Sequence, residues 1–460
     1  MTRFARSTTL CLAAGALAFG AAACSRATRS TAVISTSDAT PLHDAVKQVN
    51  DVIVYDIFSP PQASRVFAYA SIAAYEVLRQ ADSGYVTLAG QVRELTPVPA
   101  RPAGADVSLP LAGVHAYMVV GRALTFSQAR MDTLRTAMDE RFRDGMSSEM
   151  FDASVAYGDT VAKHVLAWAS RDGFKQRTGL AKYSVLRDAP GRWIPTPPAY
   201  MDAVEPNWGT LRPFTMDTSN QFRPAPPFPF DTSKKSDYFR ELREVHDVGK
   251  NLTTEQRAIA AFWDCNPFVM HVQGHTMFAT KKMSPGGHWM GITGIASRKA
   301  KADMVKASEA YARTAVALAD GFLSVWSEKY ASSMIRPETV INKFLDESWT
   351  PLLQTPPFPE YTSGHSGIST AAAVVLTALY GTNFAFADST EVEFGLPVRS
   401  YTSFEQAASE AAISRLYGGI HFRRAVEQGQ VQGRKVGEQL IARMHTRGVT
   451  AVAPAIAAAP

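Results

Sequence analysis

Apolar residues recur at three- and four-residue spacing along much of the chain, the pattern of helices that bury one face. This spacing begins at about residue 43 and is seen at Val46, Val49, Val52, Ile53 and Ile57. Strict alternation of apolar and polar residues, which would indicate strands, is almost absent. The pattern therefore predicts an all-α protein.

Several further segments carry the same helical signal. An Ala-rich run from Val66 to Leu78 has apolar residues on most sides, which predicts a buried helix. The longest helix is expected to open near Ser297, in a region dense in Ala, Lys and Glu. The predicted helical patterns after Leu78 extend over residues 111–142, 148–171, 235–248, 254–264 and 297–330, the last being this longest helix.

A Pro-rich excursion interrupts the helices at residues 190–230. It holds ten of the chain's 27 prolines, together with Trp193 and Trp208. Prolines at this density exclude a long helix. A domain linker is one interpretation, but flexible linkers rarely carry so many aromatic residues, so an ordered segment packed across the helices is favoured.

The N-terminus has the features of an export signal. Arg3 and Arg6 precede an apolar run that ends at Ala23, next to Cys24. Residues 1–23 are therefore predicted to be a signal peptide, with Cys24 acylated as in a bacterial lipoprotein; ordinary cleavage after Ala23 is the alternative. The mature protein is then expected to be periplasmic or attached to the cell envelope. It is expected to contact a membrane only through a lipid on Cys24.

Charge and cysteine content exclude some functions and a disulfide, and the pattern along the chain divides it into segments. The 460 residues carry a formal charge of +5, reduced to +3 without Arg3 and Arg6, which is too small to indicate nucleic acid. If Cys24 carries lipid, Cys265 has no disulfide partner in the mature chain. The predicted divisions are a flexible tether (24–42), an N-terminal helical half (43–296), a C-terminal catalytic half (297–446) and a disordered tail (447–460).

Three separated segments supply groups suited to one chemical task. Lys329 is followed by Arg336-Pro337, then by the run from Tyr361 to Ser366, and last by the run from Ser414 to His421. Together they contain three cations, a serine hydroxyl, a glycine N–H and two imidazoles. Cations neutralise a tetrahedral oxyanion, and arginine can bind two of its oxygens at once.

The local sequence supports such a site. Ser363 and Gly364 precede an apolar, Ala-rich run, so they are expected at a helix N-terminus, where free N–H groups attract anions. Pro337 is suited to the first position of a helix. Gly418 and Gly419 are expected to end the helix that carries Arg415 and to turn His421 into the same pocket.

The order K-x6-RP, SGH and SR-x5-H resembles the signature of vanadium-dependent haloperoxidases and type 2 phosphatidic acid phosphatases. Phe262-Trp263-Asp264 and the run from Pro285 to Trp289 resemble the bacterial haloperoxidases in particular. The resemblance implies two packed helical bundles, a vanadate cofactor, and hydrogen peroxide and halide as substrates, with a small organic acceptor as a further option.

The resemblance also implies roles for individual residues. His421 would be the vanadium ligand, or the phosphorylated nucleophile of a phosphatase, and His365 the acid–base group. The oxyanion would be held by Lys329, Arg336, Ser363, Gly364 and Arg415, and Lys329 would also polarise bound peroxide. Trp326 and Phe358 would form an apolar wall for the halide.

Two positions depart from the family pattern. Ala425 stands four residues after His421, where many members have Asp, and Thr362 stands where Pro often precedes SGH. Because a metal-bound imidazole normally donates its other N–H, a different partner for His421 is required, and a backbone carbonyl could serve.

Other functions remain open. An exported acid phosphatase would use His421 and His365 for phosphoryl transfer, although such soluble phosphatases are shorter. A non-catalytic oxyanion-binding protein would need the cations without the acid–base histidine. His271 and His275, with His288 nearby, have a spacing that can bind zinc, but Val272 excludes the protease motif, and these residues are expected to support the pocket instead.

Overall fold

Residues 33–448 are described by a computed structural model of the chain. The predicted signal peptide, Cys24 and most of the predicted tail lie outside these residues, so export and acylation stay predictions. The predicted tether reaches residue 42, whereas the first helix begins at Thr40. At the other end, Thr446 is buried and Arg447 makes an isolated β-bridge with Tyr85.

The prediction of an all-α protein is confirmed. Among the described residues the helices are α1 (Thr40–Tyr55), α2 (Pro60–Leu78), α3 (Leu109–Leu124), α4 (Gln128–Arg143), α5 (Ser148–Ala169), α6 (Asp237–Lys250), α7 (Thr254–Phe262), α8 (Pro285–Lys299), α9 (Met304–Ser332), α10 (Pro337–Phe344), α11 (Gly364–Tyr380), α12 (Phe404–Tyr417) and α13 (Arg423–Arg443). In that same part of the chain, no helix is long and apolar enough to cross a membrane.

Four short strands form two antiparallel hairpins. β1 (Val269–Gln273) pairs with β2 (Thr276–Thr280), and β3 (Phe386–Asp388) pairs with β4 (Arg399–Tyr401). Gly274 turns the first hairpin with φ of +58°, a conformation that glycine adopts without strain.

The centre of the molecule is built from helices that are apolar on most sides. α2 is buried along nearly its whole length, as its Ala-rich sequence predicts, and it packs against α3 and α9. α9 contacts α11, which in turn packs against α13. The resulting hydrophobic core draws side chains from both halves of the chain.

α11 and α13 approach each other closely because of glycines at their contact. A Cβ added at Gly433 would lie 2.0 Å from the carbonyl oxygen of Gly367, closer than any side chain allows. This approach fixes the position of the N-terminus of α11, where the candidate site begins.

Two predicted helices are interrupted in the structure. The pattern over 111–142 is two helices, because the Asp56 carboxylate accepts the N–H groups of Phe126 and Ser127, both at 2.9 Å, and fixes a turn there. The helix expected from Ser297 begins at Met304, after Lys301 adopts a left-handed conformation and Asp303 caps the new helix. The predicted division between residues 296 and 297 lies within α8.

The Pro-rich segment is held against α9 by a buried carboxylate. Asp320 accepts the N–H groups of Phe214 and Thr215, each at 2.7 Å, and the Thr215 hydroxyl at 2.6 Å. Trp193 and Trp208 are both buried. The segment therefore forms part of the wall beside the C-terminal half of α9.

Candidate active site

Lys329 fixes the loop that precedes α11. It lies fully buried in the last turn of α9, and its ammonium group donates to the carbonyl oxygens of Pro359 (3.1 Å), Glu360 (2.9 Å) and Thr362 (2.5 Å). All three ammonium hydrogens therefore have backbone acceptors. The lysine organises the segment that carries the SGH motif.

The same loop is tied to α13. The Thr362 hydroxyl donates to Gln432 at 2.6 Å, and Gln432 donates to Ser324 of α9 at 2.9 Å. The Ser363 N–H donates to the carbonyl of Ala425 at 3.1 Å. Helices α9 and α13 thus both hold the motif in place.

Ser363 and Gly364 occupy the helix N-terminus that the sequence predicts. Ser363 is the N-cap of α11, and its hydroxyl accepts from the N–H of Ser366 at 3.3 Å and from the Ser366 hydroxyl at 2.8 Å. Gly364 is the first residue of the helix. The positive end of the helix dipole therefore faces the site.

Arg336 reaches the site from the N-terminus of α10, where Pro337 is the first helical residue as predicted. Its Nε donates to the carbonyl of Phe358 and its Nη1 to that of Ile420, both at 2.9 Å. Nη1 also lies 3.2 Å from Nε2 of His421. Nη2 is buried and has no hydrogen-bond partner among residues 33–448.

Arg415 comes from the last turn of α12, and the chain turns sharply after it. Its Nη1 donates to the carbonyl of Trp263 at 2.9 Å, while its buried Nε finds no partner within the described part of the chain. Gly418 follows the helix, and Gly419 has φ of +77°. This turn brings His421 to the same place, as the two glycines predict.

His421 is oriented by a carboxylate, Glu360. Its Nδ1 lies 2.8 Å from Glu360 Oε1, which also accepts the N–H of Phe422 at 3.0 Å. Arginine can only donate, so Nε2 of His421 must accept from Arg336. Nδ1 therefore carries the proton, and the lone pair on Nε2 faces the cations. The suggested backbone carbonyl is not the partner.

His365 lies on the other side of the site, in the first turn of α11. The ring is hydrogen-bonded to the backbone of Trp263. Its Nε2 is buried, with no hydrogen-bond partner among the residues described. This nitrogen is available to exchange a proton with a bound molecule.

The family model of the second helical-bundle domain of VCPO matches residues 309–448. The crystal structure of the first bacterial vanadium-dependent iodoperoxidase has 46% sequence identity and a TM-score of 0.85, over 90% of this chain and 98% of that one. The chain belongs to the vanadium-dependent haloperoxidase family. Curated protein sequences give no match.

More distant haloperoxidases share the fold. The apo-type structure of a bacterial vanadium-dependent chloroperoxidase has 18% identity and a TM-score of 0.62, over 82% of this chain and 92% of that one. The holo-type structure has 18% identity and a TM-score of 0.61, over 89% and 92%. The arrangement of helical bundles is therefore that of vanadium haloperoxidases.

The candidate site opens onto a cavity of about 160 Å³ beside Pro356–Phe358 and α9. Gly364, His365, Arg415 and His421 line it, together with Trp326. Lys329, Arg336 and Ser363 lie behind this lining. The buried, unpartnered nitrogens Arg336 Nη2 and Arg415 Nε are donors with no acceptor in the described residues, which is the chemistry that an oxyanion such as vanadate fits.

Burial is the largest cause of the pKa shifts of the ionisable groups in the site. It lowers the pKa of Lys329 well below its usual value, with Arg336 adding to the effect, and lowers the pKa of Arg336 to about 9. Burial and the nearby cations also lower the pKa of His421 and of His365 well below the usual range, so both rings are neutral. Burial raises the pKa of Glu360 to about 8, although Arg336 and Lys329 oppose the shift.

Trp326 and Phe358 meet in the cavity wall, and their role as a halide pocket stays a prediction. Their ring centroids are 4.9 Å apart and tilted by 50°. The Lys329 ammonium lies 5.1 Å from the centroid of Phe358, and the Arg336 guanidinium lies 5.0 Å from it. Phe358 thus forms an apolar surface directly over two cations.

The histidines considered for zinc do not form one group. His271 lies on β1 and His275 lies in the turn, because the segment is a hairpin rather than a helix. Both are exposed or half-buried at the surface, while His288 is fully buried in α8. The expected support of the pocket by His271 and His275 is not observed, since neither lines the cavity.

Glu360 was missed by sequence reasoning. It stands directly before Tyr361 and the SGH motif, and it is the acidic residue closest in sequence to that cationic motif. An isolated carboxylate beside a motif of cations and imidazoles is the signal that could have identified it.

Proposed function

We propose that the protein oxidises a halide with hydrogen peroxide to hypohalous acid, using vanadate. The observation that carries the proposal is the pair of buried, unpartnered donors Arg336 Nη2 and Arg415 Nε, together with the unpartnered Nε2 of His365, around a neutral His421. The 46% identity to a vanadium-dependent iodoperoxidase supports the same chemistry.

His421 would bind vanadium through Nε2, the nitrogen that bears the lone pair. The oxygens would be held by Arg336, Ser363, Gly364 and Arg415, while Lys329, whose ammonium hydrogens all have carbonyl acceptors, would act through its charge. Bound vanadate would supply a Lewis acid that activates hydrogen peroxide towards attack by halide. Because Nη1 of Arg336 occupies Nε2 in this structure, the guanidinium must turn towards the oxyanion when His421 binds it.

The protein's own groups then manage charge and protons. His365 is neutral and accepts or donates a proton at Nε2 as peroxide enters and product leaves. Lys329 keeps the SGH loop in place and would contribute its positive charge to the site that holds the oxyanion. Trp326 and Phe358 exclude water from the side where the halide approaches.

Turnover with orthovanadate, hydrogen peroxide and iodide, bromide or chloride tests the proposal. Formation of oxidised halide is expected to require vanadate and to fall to background in His421→Ala, because the vanadium ligand is lost. His271→Ala, a change on the exposed hairpin, is the matched control and is expected to keep full activity.

Failure of this assay would take one of two forms. Absence of turnover with every halide, together with rapid hydrolysis of p-nitrophenyl phosphate, would assign the site to a phosphatase. Vanadate binding without either activity, unchanged in His365→Ala, would assign it to an oxyanion-binding protein.

Glu360→Gln tests the orientation of His421. Loss of the carboxylate weakens the hold on Nδ1–H, so the affinity for orthovanadate should fall by roughly 10- to 100-fold. Equilibrium dialysis measures this without reference to activity. Glu328→Gln, a buried glutamate of α9 that pairs with Arg223, is the control. Equal dissociation constants for wild type and Glu360→Gln, at equal thermal stability, would remove Glu360 from the account.

Phe358→Ala tests the halide wall. Opening the wall admits water, which disfavours the large, weakly hydrated iodide more than bromide. The ratio of kcat/KM for iodide to that for bromide should fall by roughly tenfold. The exposed Phe344→Ala is the control. An unchanged ratio in Phe358→Ala would show that this ring does not select the halide.

We further propose that the enzyme is exported, on the basis of the basic and apolar N-terminal residues before Cys24. Its substrates would then meet it outside the cytoplasm.

A further inference from the structure

A second cluster of reactive side chains lies outside the groups assigned to vanadate. Cys265 follows α7, His288 lies in the first turn of α8, and Glu391 lies between β3 and β4. Each is at most 2% exposed. Three distant segments of the chain therefore meet at one buried point.

The three possible metal-ligand atoms, Cys265 Sγ, His288 Nδ1 and Glu391 Oε1, lie close to one point, and they do not all form hydrogen bonds with one another. Cys265 Sγ lies 3.3 Å from Nδ1 of His288, and Glu391 Oε1 lies 3.2 Å from the same nitrogen. All three atoms lie within 4.8 Å of one another. A single ring nitrogen can form one good hydrogen bond, so it cannot serve both neighbours. Glu391 Oε1 consequently has no hydrogen-bond partner among the described residues.

The far side of the imidazole is arranged as it is in metal-binding histidines. Nε2 lies 2.8 Å from Asp388 Oδ2, and the other oxygen of Asp388 accepts the N–H and the hydroxyl of Thr390 at 3.0 and 2.7 Å. Trp263 stacks on the ring, with centroids 4.4 Å apart and planes 15° from parallel. Nε2–H is thereby fixed on Asp388, and Nδ1 is directed at the thiol and at Glu391.

The spacing fits the edges of a tetrahedral zinc site. Zinc bonds of about 2.3 Å to sulfur and about 2.0–2.2 Å to nitrogen and oxygen place neighbouring ligand atoms roughly 3.3–3.6 Å apart. The two separations at Nδ1, 3.3 and 3.2 Å, are close to these values. Thiolate, imidazole and carboxylate together favour zinc over calcium or magnesium.

We propose that Cys265, His288 and Glu391 bind one zinc ion, with Asp388 holding His288 in the ligating tautomer. Cys265 also lines the main cavity, so water from the cavity can complete the coordination. The ion would tie the end of α7 to α8. Because the Trp263 carbonyl in this region accepts from Arg415, the zinc site would steady the wall that supports that cation.

Elemental analysis of untagged, extensively dialysed protein tests the site. About one zinc per chain is expected, and its loss is expected in His288→Gln and Glu391→Gln. The matched controls are His271→Gln on the exposed hairpin and Glu393→Gln, an exposed glutamate that pairs with Lys47. Zinc retained in the site variants, or absent from wild-type protein prepared with zinc, would overturn the proposal.

Cobalt substitution of the wild-type protein tests the ligands without relying on a variant that folds. Removal of zinc by a chelator and addition of Co²⁺ should produce a thiolate-to-cobalt charge-transfer band, which Cys265→Ser should lack. A cobalt spectrum without that band would exclude Cys265 as a ligand. His421→Ala should keep its zinc even if it no longer binds vanadate, so this test and that of the haloperoxidase proposal fail independently.

Discussion

Burial of positive charge is the constraint on which the site depends. Lys329, Arg336 and Arg415 are all removed from water, and the acidic side chain of Glu360 is buried among them. Backbone carbonyls accept six hydrogen bonds from these cations: three from Lys329, two from Arg336 and one from Arg415. Carbonyl dipoles offset only part of a full charge, so the pocket keeps a positive potential that an oxyanion can neutralise.

The cations and the N–H groups of the site all lie at the ends of helices. Lys329 lies at the end of α9, Arg336 at the start of α10, Gly364 at the start of α11 and Arg415 at the end of α12. Side chains at helix termini can meet without the helices themselves crossing at the site. Close glycine packing between α11 and α13, together with the Gln432 bridge to Ser324, then fixes the loop that all of them surround.

Local sequence signals were sufficient to predict those parts of the site whose backbone conformation depends on neighbouring residues. Pro337, Ser363 and the pair Gly418-Gly419 each have a direct effect on the backbone, and their positions at helix ends were predicted. Glu360 and His421 are 61 residues apart. Their pairing depends on tertiary packing, which periodicity does not report. Likewise, His271 and His275 were spaced as on a helix, but Gly274 turns them into a hairpin.

The tautomer of His421 is the central claim, because Nε2 can bind vanadium only if Glu360 holds the proton on Nδ1. A crystal structure of the protein with orthovanadate tests it most directly. The account predicts vanadium bonded to Nε2 of His421, Nδ1 still paired with Glu360, and Arg336 moved from Nε2 to the oxyanion. Vanadium bound through Nδ1, or bound in the cavity without contact to His421, would contradict it.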